Sequence, residues 1–286
     1  MNRKYRLGII GHPLGHTLSP VMHTAAAARL GLDLAYDPFD VKPANLAGFM
    51  AGLRDGPLDG LNVTVPHKTA VMEYLDTVSP EAERIGAVNT IVIRGGRLAG
   101  ENTDAYGFMA SLTQNARVNP AGKRALVIGA GGAARAVVWA LALAGARTAI
   151  ANRTEDRARG IAADFAIAGA GVAVIPFDPD KLAEAARAAE IIVNATSVGM
   201  KSAGPGALAE VERHFHPGQL VVDIVYRPPL TPFLAAAQRA GCATLDGLWM
   251  LIHQGAKSFT LWTSRPFPVE LAREKLLEAL GEERAG

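Results

Sequence analysis

Residues Arg124 to Thr154 constrain this chain more than any other stretch. An apolar strand (Ala125, Leu126, Val127, Ile128) runs into GAGGAA, then a helix, then a second strand (Thr148, Ala149, Ile150, Ala151) ending in Asn-Arg-Thr. A glycine-rich turn between strand and helix lets the backbone approach a pyrophosphate, and the helix N-terminus supplies free N–H groups and partial positive charge. Gly129, Ala130, Gly131, Gly132 and Ala133 are therefore expected to cradle a dinucleotide. Ala134 replaces the last glycine of the fingerprint, a position that needs only a small residue for helix-to-strand packing.

The end of the second strand refines the cofactor. An Asp or Glu there would bind the adenosine ribose 2'-hydroxyl. Here the position is Asn152, followed by Arg153 and Thr154, with Arg157 one helical turn later. A carboxylate would repel a 2'-phosphate, whereas a guanidinium pairs with it through two hydrogen bonds and stacks on adenine. The chain reads as selecting NADP.

With 286 residues, 49% of them apolar, two ordinary cores are expected. The formal net charge is only +2, with basic and acidic residues interspersed and aromatics scarce, so a nucleic-acid partner is not expected. The single Cys242 excludes an internal disulfide and a multi-cysteine metal cluster. MNRKYRLGII moves straight into a strand, and the apolar stretches are interrupted well short of a membrane span. These features fit a soluble protein of a reducing cytoplasm, with a small-molecule substrate and no membrane partner; a homodimer stays open.

The first hundred residues alternate strand and helix: Tyr5 to Ile10, a helix from Pro20 to Leu30, Ala35 to Val41, a helix from Ala44 to Leu53, and Asp59 to Val65 feeding a helix from Pro66. Val88 to Ile93 turns through Gly95-Gly96 as a hairpin. The expectation is an α/β protein of two α/β domains. Residues 106–240 form a Rossmann-like, doubly wound NADP domain; residues 1–105 and 241–286 form a discontinuous substrate domain with a mostly parallel sheet.

Four clusters outside the cofactor unit are richer in polar groups than a core needs: GHPLGHTLSPVMH, NVTVPHK, GENTD and the helix at Gly247 to Gln254. Ser19 before Pro20 has the signature of an N-cap, yet Thr17 and Ser19 beside a helix N-terminus also make a seat for a carboxylate. Lys68 alone reads as a surface charge, and Asp104 alone as a cap. His12, His16 and His23 do not read as metal ligands, because Pro13 and Gly15 break the helix that would align them; no metal is expected.

Together with GAVNT, GAGGAAR, NRT, NATSVGM, DIVYRPPLTPF and DGLWMLIHQGA, these motifs stand in one order over essentially the whole length, and the chain resembles the shikimate dehydrogenase family. The resemblance implies that Lys68 and Asp104 are the catalytic pair. It implies that Thr17, Ser19, Thr64, Asn89, Asp104 and Gln254 contact the substrate, with Tyr226 near its carboxylate, and it adds Thr196 and Gly247 to the cofactor site. The implied reaction is reversible hydride transfer between NADP(H) and the ring ketone of 3-dehydroshikimate. Hydride delivery to a ketone builds negative charge on its oxygen, so a proton donor and a cation belong there. The chain departs from the family pattern at Thr17, where the first of two serines is usual, and at His12, where asparagine is common. The added methyl at Thr17 narrows the carboxylate pocket and leaves quinate open beside shikimate. A non-catalytic ligand sensor would be free to lose Lys68 or Asp104, and both are present.

Overall fold

The computed structural model describes residues 3–15, 17–199 and 208–285; His16 of the first polar motif and Met200 of NATSVGM lie outside them. The chain divides into two compact units, Met1–Thr103 with Ile252–Gly286, and Asp104–Leu251.

The first unit opens with β1 (Lys4–Gly11), α1 (Ser19–Arg29), β2 (Asp33–Asp40), α2 (Leu46–Gly52) and β3 (Gly60–Val63). It continues with β4 (Thr77–Val78), α3 (Pro80–Ile85) and the hairpin β5 (Thr90–Arg94) and β6 (Arg97–Glu101). Its sheet runs β2-β1-β3-β5-β6-β4. β1 is parallel to β2 and β3, β4 is parallel to β6, and β5 is antiparallel to both neighbours. Gly95 and Gly96, at φ 55 and 72, supply the two left-handed residues that a tight hairpin requires. One apolar layer gathers Leu61, Val63, Ile91 and Leu98 with residues of α2 and α3.

The second unit holds α4 (Asp104–Ala110), β7 (Arg124–Ile128), α5 (Gly132–Leu143), β8 (Arg147–Ala151), α6 (Glu155–Ile167), β9 (Val172–Val174) and α7 (Pro179–Ala188). It goes on with β10 (Ile191–Asn194), α8 (Leu208–Glu212), β11 (Leu220–Asp223), α9 (Pro232–Arg239) and β12 (Ala243–Leu245). Its sheet is parallel throughout, in the order β12-β11-β10-β7-β8-β9. The order reverses between β7 and β10, the crevice where a doubly wound sheet receives its ligand. The inner strands read as unbroken apolar runs because helices cover both faces: every residue of β10 and β11 is buried.

Two helices close the chain, α10 (Gly247–Thr263) and α11 (Val269–Ala285). Residues of α10 from Ile252 onward, and all of α11, belong to the first unit. There Trp262 donates its Nε1–H to the carbonyl of Ile91 (3.0 Å), and a side chain at Gly60 would collide with that ring. Among the described residues no helix is long and apolar enough to cross a membrane.

Three local expectations change. The return to the first unit comes at 252 rather than 241, because Ala243–Leu245 pairs in parallel with β11 and extends the second sheet. No helix starts at Pro66: the carbonyl of Lys68 accepts the N–H of Val88 (2.8 Å) instead of a helical donor, and only a short 3-10 turn forms at Ala70–Tyr74. Ser19 is the first helical residue and not the cap; Leu18 takes that position and contributes no side-chain bond.

Candidate active site

The cofactor end is built by the backbone. After β7 the chain passes Gly129 at φ 116, where a Cβ would stand 2.7 Å from the carbonyl oxygen of Ala195; only glycine fits so close to the exit of β10. Gly131 caps α5 in an extended conformation, and a Cβ there would meet nothing within 4 Å, so open space lies where a bound group would approach. The first turn of α5 points its N–H groups into that space, and Ala134 is fully buried.

The exits of β10 and β11 are tied by a chain of side chains. Asn194 Oδ1 accepts from the N–H (3.0 Å) and hydroxyl (2.7 Å) of Thr196, while its Nδ2 donates to Asp223 (2.9 Å) and to the carbonyl of Val198 (3.0 Å). Asp223 also accepts from Thr231 Oγ1 (2.7 Å) and the N–H of Val225 (2.9 Å). Burial pushes the Asp223 carboxyl above its usual range, and these three donors oppose that rise. Thr196 is thereby held beside Gly129. A Cβ on Gly247 would lie 2.4 Å from the carbonyl oxygen of Ile224, so a side chain at that glycine would hold the start of α10 away from the exit of β11.

At the end of β8, Asn152 donates to the carbonyl of Thr154 (2.8 Å) and shapes the turn into α6. Arg153 and Arg157 are exposed, and neither guanidinium has a partner among the described residues. Arg135, on the first turn of α5, is by contrast paired with Asp164 at 2.7 Å and lies over the Phe165 ring. Glycine turn, open helix terminus and unpaired guanidiniums together suit a dinucleotide carrying an extra phosphate.

The other polar groups belong to the first unit, apart from Asp104, buried as the first residue of α4, and Tyr226, partly buried beyond β11. Thr17 Oγ1, one residue before the cap position, accepts the N–H of Ser19 at 3.3 Å. The hydroxyls of Ser19 and Thr64 have no hydrogen-bond partner among the described residues. Ser19 is nonetheless buried, at the N-terminus of α1. The loop before them is pinned by His12 Nδ1 against Asp40 Oδ1 (2.5 Å), a bond that holds the Asp40 carboxyl below its usual range.

Lys68 sits partly buried on the turn after β3. The preceding His67 is buried, its Nε2 2.6 Å from the carbonyl of Val41, which fixes that turn from below. Asn89, just before β5, is buried. Its Oδ1 accepts the N–H of Thr103 (2.7 Å), and its Nδ2 donates to Thr103 Oγ1 (2.9 Å) and Gln254 Oε1 (3.3 Å). Asn62, Thr90, Thr103, Ser258 and Tyr36 extend this network: Asn62 Nδ2 reaches Thr90 and Ser258 (both 3.2 Å), and the hydroxyl of Tyr36 donates to Asn62 Oδ1 (2.7 Å). Sequence reasoning assigned roles to Asn89 and Gln254, included Asn62, Thr90 and Thr103 in its motifs without a role, and missed Tyr36 and Ser258. The one available signal was Ser258, a helical turn beyond Gln254 on an otherwise apolar face. Among the described residues no group of three His, Cys, Asp or Glu is placed to hold a metal.

Three family profiles match the chain: the shikimate dehydrogenase substrate binding domain over residues 9–91, shikimate / quinate 5-dehydrogenase over 111–250, and the shikimate 5'-dehydrogenase C-terminal domain over 247–277. The shikimate dehydrogenase (NADP(+)) of Moorella thermoacetica is 48% identical over 290 residues, covering 98% of this chain and 95% of that protein. Among solved structures, the shikimate 5-dehydrogenase of Thermus thermophilus in complex with NADP(H) and shikimate has a TM-score of 0.85 at 40% identity, covering 96% of this chain and 99% of that one. The quinate dehydrogenase of Corynebacterium glutamicum in complex with NAD has a TM-score of 0.85 at 34% identity, covering 96% and 99%.

Proposed function

The chain belongs to the shikimate dehydrogenase family, and we propose that it reduces the ring ketone of 3-dehydroshikimate to shikimate, reversibly and with NADP(H), in the cytoplasmic pathway to aromatic amino acids. The observation that carries this reading is the bonded cluster of Asn89, Thr103 and Gln254, whose neutral amides and hydroxyl are aligned by one another. Such groups suit the ring hydroxyls of a small cyclic acid, since a site built to hydrogen-bond hydroxyls rejects analogues that lack them.

In this reading the hydroxyls of Thr17 and Ser19, beside the N-terminus of α1, seat the substrate carboxylate, with Tyr226 assigned to the same group. Thr64, Asn89 and Gln254 hold ring hydroxyls. When bound, the nicotinamide supplies the hydride or receives it. Lys68 gives a proton to the ketone oxygen as charge builds there, and its positive charge stabilises that oxygen. Asp104 orients the ammonium and a ring hydroxyl. Arg153 and Arg157 hold the 2'-phosphate of the cofactor, Asn152 and Thr154 shape the turn that carries them, and Gly129 to Ala133, Thr196 and Gly247 line the remainder of the dinucleotide seat.

Initial rates followed by the absorbance of reduced nicotinamide, with shikimate or quinate each paired with NADP or NAD, test this reading. Shikimate with NADP is expected to be fastest. The structural likeness to a quinate dehydrogenase makes quinate oxidation the expected second activity, and the narrowed seat at Thr17 sets its rate relative to shikimate. Absence of all four rates would leave a ligand-binding protein without turnover.

A further inference from the structure

Ser258 is completely buried on α10, and four polar atoms converge on its hydroxyl: Thr90 Oγ1 at 2.7 Å, the Gln254 carbonyl oxygen at 3.0 Å, Thr103 Oγ1 at 3.1 Å and Asn62 Nδ2 at 3.2 Å. The directions of the amide and carbonyl bonds follow from what those groups can do, while the bonds among the three hydroxyls can run either way. The backbone N–H of Thr103 only donates, so the Asn89 atom 2.7 Å away is its oxygen. The other arm of that amide is the amino group, giving its hydrogens to Thr103 Oγ1 and to Gln254 Oε1. Gln254 therefore turns its oxygen toward Asn89 and its amino group away.

Ser258 completes the circuit. Its hydroxyl lies 3.0 Å from the Gln254 carbonyl, one helical turn back, and also bonds to the hydroxyls of Thr90 and Thr103 and to the amino group of Asn62. Without Ser258, Thr103 Oγ1, which receives the Asn89 amino group, would lose its tether to α10 and keep only Thr90 and Asn89 as partners. We infer that Ser258 is a positioning residue for substrate recognition: by bonding to Thr90 and Thr103 it holds Asn89 against Gln254 and so sets the orientation in which the Gln254 amide meets the substrate ring. The inference rests on the reading that Gln254 contacts the substrate.

The test is steady-state kinetics on Ser258→Ala, Gln254→Ala and the double variant, with melting temperature recorded for each. Ser258→Ala is expected to raise KM for shikimate by about tenfold, the scale of one mispositioned buried hydrogen bond, with KM for NADP unchanged and kcat within about threefold. In the Gln254→Ala background the same substitution should add nothing, because residues that act through one another are not additive. A serine that only fills the core would shift the melting temperature and leave both ratios alone. Ser258→Cys keeps the volume with a weaker acceptor and should give an intermediate KM; if the alanine variant does not fold, the cysteine variant decides by the same readouts. Unchanged KM for shikimate in a folded variant, or an equal rise in the Gln254→Ala background, would overturn the inference. Wild-type protein without shikimate turnover would overturn the functional reading and this inference with it; active wild type with unmoved variants would overturn this inference alone.

Discussion

At the exit of β7 the chain builds its proposed dinucleotide seat from backbone and small residues, Gly129 pressed against Ala195 and the first turn of α5 left open, and adds two exposed arginines at the end of β8. Around Asn89 it does the reverse, with side chains buried and bonded to one another. The two constructions fail differently. In the first, the proposed selectivity rests on guanidiniums with no partner among the described residues, so it can be altered without disturbing the cradle. In the second, recognition and alignment share one network, so a change at one residue reaches the others.

The largest effect expected from this contrast lies at Lys68, the proposed proton donor of the substrate unit. Lys68→Ala should leave a folded protein that binds shikimate by calorimetry while turnover falls by about two to four powers of ten. Near-normal turnover would move the proton role elsewhere and erase the chemical half of the comparison. Next in size is Arg153. Arg153→Ala should weaken NADP by about 10- to 100-fold, the worth of a charge-assisted pair, with the melting temperature unchanged and NAD almost unaffected. Equal losses for both cofactors would mean that the guanidinium does not read the 2'-phosphate.

The smallest effect sharpens the comparison from the buried side. His23 lies in the core of the substrate unit with neither ring nitrogen hydrogen-bonded, stacked on Tyr36 at 4.6 Å and flanked by Phe259, Trp262 and Phe267. Burial pushes its pKa from 6.5 down to about 3. As pH falls the unfolded chain takes up this proton first, so the stabilising contribution is complete above about pH 6.5 and is lost progressively toward pH 3. Between pH 6.5 and pH 5 the wild type should lose ~2 kcal/mol by this route, and His23→Phe, which keeps the stack, should not. Parallel pH profiles from denaturant melts of the two proteins would contradict it.

The same contrast explains what was legible in the sequence. The dinucleotide turn is a local backbone pattern, so Gly129 to Ala134 and the Asn-Arg-Thr that follows β8 announce themselves within a single strand-helix-strand stretch, and the strand-helix alternation follows from hydrophobic periodicity. The substrate network joins residues far apart in the chain: Asn89 to Gln254, and Thr90 to Ser258. Little in the local sequence makes a buried serine or threonine look different from an ordinary helix or strand residue: Thr103 was noticed only as part of GENTD, with no role, and Ser258 was passed over. The missing helix after Pro66 has a related cause, because the Lys68 carbonyl is claimed by Val88, a strand away. Strand β12 was hidden by its three-residue length, and the domain boundary moved with it.

The account turns on cofactor choice and substrate choice residing in separately built sites, and one measurement addresses that directly: kcat/KM for shikimate and quinate, each with NADP and NAD, in wild type and Arg153→Ala. The expected result is a wild type that prefers NADP, and a variant whose NADP-to-NAD ratio falls by the same factor with either substrate. A wild type that prefers NAD, or a factor that changes with the substrate, would contradict it.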